Sequence, residues 1–298
     1  MFPLPHRSRR TALTEGTVAG VLFGTAAIFI RLLGNSLNVY SIAFWRLIIA
    51  SALLAGIILI SRKSWDFDRA KKNFRRILIL GIFLGVHFIL FVSAVMDTTI
   101  LNATVLVNTS PIFSALISVF IFHVKPSQLA VIGLVTSFVG ISFIAYADAS
   151  SQGAFTLHLK GDVEALLAAL AEGFYLNYGR EIRGKMPLLP MMLPIYLVSA
   201  LTIGLSSVAA WTMPTFPNDL ALILYLIGLA ILPTAIAHTF YFSSLSHLRS
   251  YQTATLALLE PIGATLLGMA IFSEFPSVLF VFGAFLVLGG IVSVAAKE

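Results

Sequence analysis

The sequence predicts an all-α integral membrane protein of ten transmembrane helices, built as two inverted five-helix repeats. Three observations carry that expectation. The 298-residue chain is 58% hydrophobic and only 11% charged, with a mean hydropathy of +0.96. A soluble chain carries more charge. Apolar runs of bilayer-spanning length recur from end to end, so the solvent is lipid. One stretch also occurs twice. Residues 102–146 and 253–296 align without a gap, pairing Pro111 with Pro261, Phe122 with Phe272, Pro126-Ser127 with Pro276-Ser277, Gly133 with Gly283 and Gly140-Ile141 with Gly290-Ile291. Each copy is two apolar runs around a Pro-Ser corner, a helical hairpin sized for a bilayer.

The expected spans are residues 14–33, 39–60, 77–96, 99–122, 128–147, 162–178, 188–210, 220–244, 253–272 and 277–296. Each is long enough to cross at about 1.5 Å per residue. They are helices, because a lipid-exposed backbone must bond to itself and these runs lack the alternation of barrel strands. The first follows a basic segment, as a signal peptide would, but is long enough to remain as an anchor. Gly16, Gly20 and Gly24, and likewise Gly81 and Gly85, stand four apart and allow close helix packing.

The repeat extends to the other spans. Gly16-Thr17-Val18 resembles Gly161-Asp162-Val163, with Leu22, Ala26 and Phe29 meeting Leu167, Ala171 and Phe174. Spans three and eight share a pattern: His87, Phe91, Ser93 and His238, Phe242, Ser244. Residues 1–147 therefore form one repeat, 148–160 a linker loop and 161–298 the second. Five spans is an odd number, so the second copy enters the membrane from the opposite side. Secondary transporters use this plan, with solute bound near the midplane between the halves.

Of the nineteen Lys and Arg residues, sixteen fall on one side of this arrangement, two (Arg31 and Lys160) on the other, and Arg46 inside a span. The positive-inside rule then puts both termini in the cytoplasm, with the protein multi-pass in the cytoplasmic membrane. The longest loop, residues 61–76, is basic and cytoplasmic. Because the basic residues sit in loops between spans, they signal topology and imply no nucleic-acid partner. With no cysteine there is no disulfide, thiolate metal site or cysteine nucleophile. No P-loop, His-Glu-x-x-His or Gly-x-Ser-x-Gly occurs, which argues against direct ATP use and against an intramembrane enzyme. No metal, cofactor or oligomeric state is implied; the expected partners are the bilayer and a small-molecule solute.

Ionisable groups at membrane depth are expensive and usually face a cavity or a partner. They are Arg46, His87, Glu164, Glu172, His238 and Glu260. Glu172 stands near the middle of its span and shares a helix face with Tyr175 and Gly179. That face is the first candidate for a substrate or proton pathway, with Glu164 two turns earlier; a hydrogen-bonded structural role is the plainer alternative. Glu260 precedes Pro261 and Ser110 precedes Pro111; a proline frees a carbonyl, which can bind a solute or merely mark a kink. Glu260 itself either serves the pathway or bonds the freed backbone or Arg46. Asn108, with Thr104 on the same face, either binds solute or ties helices together. His87 and His238 match across the repeats, which suits proton handling or plain packing; no carboxylate or Cys stands at metal-ligand spacing beside them. Tyr241, like Tyr175, Tyr178 and Tyr196, is placed to stack on a ligand or to sit in an interface belt. Arg46 is expected to snorkel outward or pair with a carboxylate. A single buried Arg against three Glu disfavours phosphate esters, which call for several cations.

These residues together resemble the EamA family of the drug/metabolite transporter superfamily: ten short-looped spans in two halves, Phe44-Trp45-Arg46 in span two, and the proline motifs Asn108-Thr-Ser-Pro111 and Leu258-Leu-Glu-Pro261. The resemblance implies a central cavity between the halves and transport of small metabolites, often export of amino acids. The competing classes are an intramembrane enzyme and a receptor or structural membrane protein. A cavity lined from both halves and open to one side favours the carrier; a closed bundle favours the receptor or structural protein.

Overall fold

The computed structural model describes residues 8–61, 67–152, 159–272 and 276–296. Among these residues all regular structure is helical. In chain order the helices are α1 (Arg9–Phe23), α2 (Ala26–Gly34), α3 (Val39–Ile60), α4 (Phe67–Lys72), α5 (Phe74–Asp97), α6 (Ile100–Val107), α7 (Ser110–Phe120), α8 (Gln128–Gln152), α9 (Leu159–Ile182), α10 (Leu188–Ala209) and α11 (Leu220–Leu229). A π-helical segment (Ala230–His238) leads into α12 (Thr239–Ser244), and α13 (Ser250–Leu256) and a 3-10 turn (Ala257–Leu259) into α14 (Glu260–Phe272); α15 (Val278–Ala295) follows.

Among the described residues eight stretches are long and apolar enough to cross a membrane: Arg9–Gly34, Val39–Ile60, Phe74–Asp97, Asn102–Phe120, Gln128–Ala147, Leu188–Ala209, Leu220–Ser244 and Val278–Ala295. This is a multi-pass membrane protein. The sixth and ninth expected spans are not among the eight. In the place of the sixth, α9 is a continuous helix, but it carries Lys160, Asp162, Glu164, Glu172, Arg180 and Glu181. In the place of the ninth stand α13, the 3-10 turn and α14.

Four expected spans are broken, three at a proline and one at a close helix contact. Span one divides at Gly24-Thr25, where a Cβ on Gly24 would lie 2.7 Å from the Glu260 carbonyl oxygen; only glycine lets α1 approach α14 so closely. The Thr25 hydroxyl donates to the Leu22 carbonyl at 2.8 Å and closes that turn. Spans four and nine break at Pro111 and Pro261, which lack the N–H that would continue the helix. Near Pro261 the Ala257 carbonyl takes a tighter bond from the Glu260 N–H, which makes the 3-10 turn. In span eight, Pro233 cannot donate to the Leu229 carbonyl, and the Thr234 hydroxyl does so instead at 2.7 Å. The backbone widens there into the π-helical segment.

Two expectations about connections need correction. The 148–160 linker is partly helical, since α8 runs on to Gln152 and α9 starts at Leu159; residues 153–158 lie outside the described residues. The 61–76 loop contains α4, with residues 62–66 likewise outside.

The largest buried cluster gathers side chains from α1, α2, α3, α5, α9 and α10. α8 and α15 pack along glycines instead. A Cβ on Gly140 would lie 2.7 Å from both the Gly283 carbonyl oxygen and the Val287 nitrogen, and one on Gly133 would lie 2.7 Å from the Gly290 carbonyl oxygen. These obstacles are backbone atoms, so the helices must separate to admit a side chain. Gly140→Val is therefore expected to destabilise the protein by about 1–3 kcal/mol, the usual scale of overpacking, seen as a lower unfolding midpoint in detergent. An unchanged midpoint would contradict this helix contact.

Candidate functional site

The breaks in the helices converge on one cavity. Phe23 of α1 and Ala26 of α2 flank the Gly24-Thr25 break; Val107 and Asn108 stand before Pro111; Ala257 and Glu260 stand before Pro261; His238 ends the π-helical segment. Arg46 of α3, His87, Phe88 and Phe91 of α5, and Glu172 of α9 complete the lining. Val107 and Ala257 are equivalent in the two sequence repeats, as are His87 and His238 within one residue. The cavity has a volume of about 30 Å³.

Each polar side chain in it is held. Tyr241 donates its hydroxyl to Glu172 Oε1 at 2.7 Å. Asn108 Nδ2 donates to Glu260 Oε2 at 3.2 Å and to the Thr104 carbonyl at 2.7 Å. Both carboxyl groups are buried, and these neutral donors satisfy their acceptors. His87 Nδ1 faces the Ala168 carbonyl at 3.0 Å, so it carries the proton and donates. The His238 ring packs on Phe23 and Phe88, each at 4.8 Å between centroids, and lies 6.1 Å from His87. Its Nδ1 is buried without a partner among the described residues. No group of three His, Cys, Asp or Glu able to hold a metal occurs among the described residues.

Arg46 departs from expectation. It neither snorkels nor pairs with a carboxylate, because it is 1% exposed and two other contacts fix it. Its Nε donates to Thr234 Oγ1 at 2.9 Å, and its guanidinium lies over the Phe88 ring at 4.1 Å. Thr234 is itself anchored, since its carbonyl accepts from the Tyr196 hydroxyl at 2.8 Å, which also lies 3.2 Å from Thr239 Oγ1. Glu260 likewise bonds Asn108 rather than Arg46.

Seven of the nine sequence candidates meet here: Glu172, Asn108, His238, Glu260, His87 and Arg46 line the cavity, and Tyr241 bonds Glu172. Two do not. Tyr175 is buried against Phe242 at 5.4 Å, since the wall it faces is α12 and not the cavity. Glu164, two turns from Glu172, belongs to a separate cluster in which Lys160 Nζ lies 3.9 Å from Glu164 and 2.8 Å from Asp97. Ser93 donates to Asp97 at 3.1 Å, and Asp162 accepts from Thr98 at 2.9 Å. The hydrogen bond to Asp97 raises the Lys160 ammonium above its ordinary value. With Lys160 largely exposed, such pairs contribute at most about 1 kcal/mol.

Sequence reasoning missed Phe23, Phe88 and Thr234. A hydroxyl residue directly after a proline inside an apolar run was the available sign for Thr234; nothing distinguished the two phenylalanines among the 24 in the chain. It also missed Asn177, which fixes α9 by donating to the Ser114 carbonyl at 3.0 Å and accepting from the Ser250 hydroxyl at 2.7 Å.

Comparison with known proteins bears on what such a cavity does. An uncharacterized transporter of Archaeoglobus fulgidus is 24% identical over 289 residues, covering 93% of this chain and 95% of the relative. An uncharacterized transporter of Bacillus subtilis, YdfC, is 28% identical over 258 residues, covering 84% and 79%. A solved crystal structure superposes with a TM-score of 0.78 over 96% of both chains at 20% identity, which speaks for the fold. The EamA-like transporter family matches residues 13–146 and again residues 159–296, so the chain belongs to that family.

Proposed function

We propose that the protein is a secondary transporter of small organic metabolites, amino acids or their relatives among them, working as an exporter by alternating access about the cavity. The observation that carries this reading is the cavity itself, lined from both halves by Arg46, Asn108, Glu172 and Glu260. Buried ionisable groups are expensive in a membrane and collect where a solute or ion passes. The helix breaks at Pro111, Pro233 and Pro261 support it too, since unwound backbone beside a midplane site is common in carriers. At about 30 Å³ the cavity is small beside usual ligand pockets, so binding a solute is expected to part the lining helices. A counterflow screen of metabolites in proteoliposomes tests the reading. Movement of no solute faster than in protein-free vesicles would defeat it, and with it the distinction from a receptor.

In this reading the chain crosses ten times as two inverted repeats, α9 and the α13–α14 segment being the further crossings. The two separate family matches support the repeat. An odd number of crossings per copy supports the inversion. Both termini and residues 61–76 then face the cytoplasm of a cell membrane, on the strength of the sixteen-to-two division of Lys and Arg. The natural chain has no cysteine, so a single Asp68→Cys is expected to resist an impermeant thiol reagent in intact cells and to react once the membrane is opened. Labelling in intact cells would reverse the topology.

A further inference from the structure

We infer that Arg46 is the anion-recognition group of the cavity, and that the solute presents a carboxylate to it. This rests on reading the cavity as the solute site. A guanidinium is the side-chain cation least able to shed its charge, and a buried charge without a counter-ion is costly. The neighbours of Arg46 orient it without neutralising it: Nε meets a threonine hydroxyl, and one face of the guanidinium lies on an aromatic ring. Nη1 is buried with no hydrogen-bond partner among the described residues. Carboxylates are available in the same cavity, yet Glu172 bonds Tyr241 and Glu260 bonds Asn108. An arginine kept for structure would be joined to one of them. This one is held off both by neutral partners, which leaves its charge for a third party.

The chemistry of that party follows from what remains open. An arginine edge matches the two oxygens of a carboxylate. His238 Nδ1, also unpartnered and packed on the same Phe88 ring, offers a further polar contact. Among the described residues Arg46 is the only Lys or Arg lining the cavity, so a monoanion fits and a phosphate dianion does not. A solute that also carries an ammonium group finds Glu172 and Glu260 in the lining of the same cavity.

The test uses the purified full chain in detergent. The twenty L-amino acids, simple monocarboxylates and the primary amide of each are titrated while the unfolding midpoint is followed. At least one acid is expected to raise the midpoint, with its amide needing about 100-fold more for the same shift, the scale of an unpaired buried charge. Arg46→Gln is expected to erase that acid-over-amide preference. Thr234→Val, which removes the Nε acceptor together with the hydroxyl's own bond to the Leu229 carbonyl, is expected to weaken the acid about 10-fold and the amide hardly at all. Should Arg46→Gln fail to fold, the wild-type ratio and its fall in Thr234→Val decide. Equal binding of acid and amide, a preference surviving in folded Arg46→Gln, or binding of no carboxylate would each overturn the inference. Counterflow of a solute without a carboxylate would overturn it and leave the transporter reading standing. Acid-selective binding with no counterflow of any solute would do the reverse.

Discussion

Glu172→Gln is expected to insert and fold but to lose transport driven by a pH gradient, by about 100-fold or more. Glutamine keeps the shape of glutamate and still presents an oxygen to the Tyr241 hydroxyl, now 2.7 Å from Oε1. The packing is therefore retained, and only the ability to take up and release a proton is lost. Glu172 is the natural carrier of that role. It lies in the middle of α9, it is buried, and it lines the cavity proposed above as the solute site. The measurement is uptake into proteoliposomes under an imposed pH gradient, beside exchange with no gradient. The variant is expected to retain exchange that ignores pH. Glu164→Gln is the control: Glu164 stands two turns from Glu172, outside the cavity, and pairs with Lys160, and its variant is expected to respond to pH as the wild type does. Wild-type pH dependence in folded Glu172→Gln would exclude Glu172 as the coupling group and turn attention to Glu260.

The contrast between Glu172 and Glu164 shows how far a sequence carries such an assignment. Both are carboxylates in one expected span, and helical spacing separates them by about 80° and about 12 Å. Spacing tells which residues share a face; it does not tell what that face meets. Glu164 meets Asp97 and Lys160, and nothing in an apolar run announced that cluster. The existence of the helices was legible because a bilayer imposes a strong and local demand, a long apolar run with its backbone bonded internally. The breaks at Pro111 and Pro261 were legible for the same reason, since proline acts on its own helix. The contacts of Arg46 were not. Thr234 and Phe88 lie 188 and 42 residues away along the chain, and only the packing of α3 against α5 and the π-helical segment brings them together. The break at Gly24-Thr25 was half legible. The glycine spacing announced a close approach, but the partner in α14 decided where the helix had to yield.

Asn108→Leu is expected to abolish transport and to destabilise the protein by about 1–3 kcal/mol, the range for leaving a buried polar group without its partner. Asn108 Nδ2 is the donor that reaches Glu260 Oε2, and the same amide ties down the Thr104 carbonyl beside the break at Pro111. Two accounts of the pair give the same single-variant result. Either the bond merely holds α6 to α14 across the cavity, or it keeps Glu260 ready for a solute cation. The double variant Asn108→Leu with Glu260→Leu separates them. Replacing both members of a buried polar pair by apolar groups of similar size is often neutral for stability, because no unpaired group remains. If the bond is only a tie, the double variant regains both the unfolding midpoint and the transport rate. If Glu260 meets the solute, the double variant regains the midpoint and stays inactive in counterflow. The second result is the one expected. Glu260 lies in the lining beside the break at Pro261, and its bond to Asn108 is made between two residues that both line the cavity. Recovery of transport in the double variant would remove Glu260 from the pathway and leave Glu172 as the only cavity carboxylate with a part in the cycle.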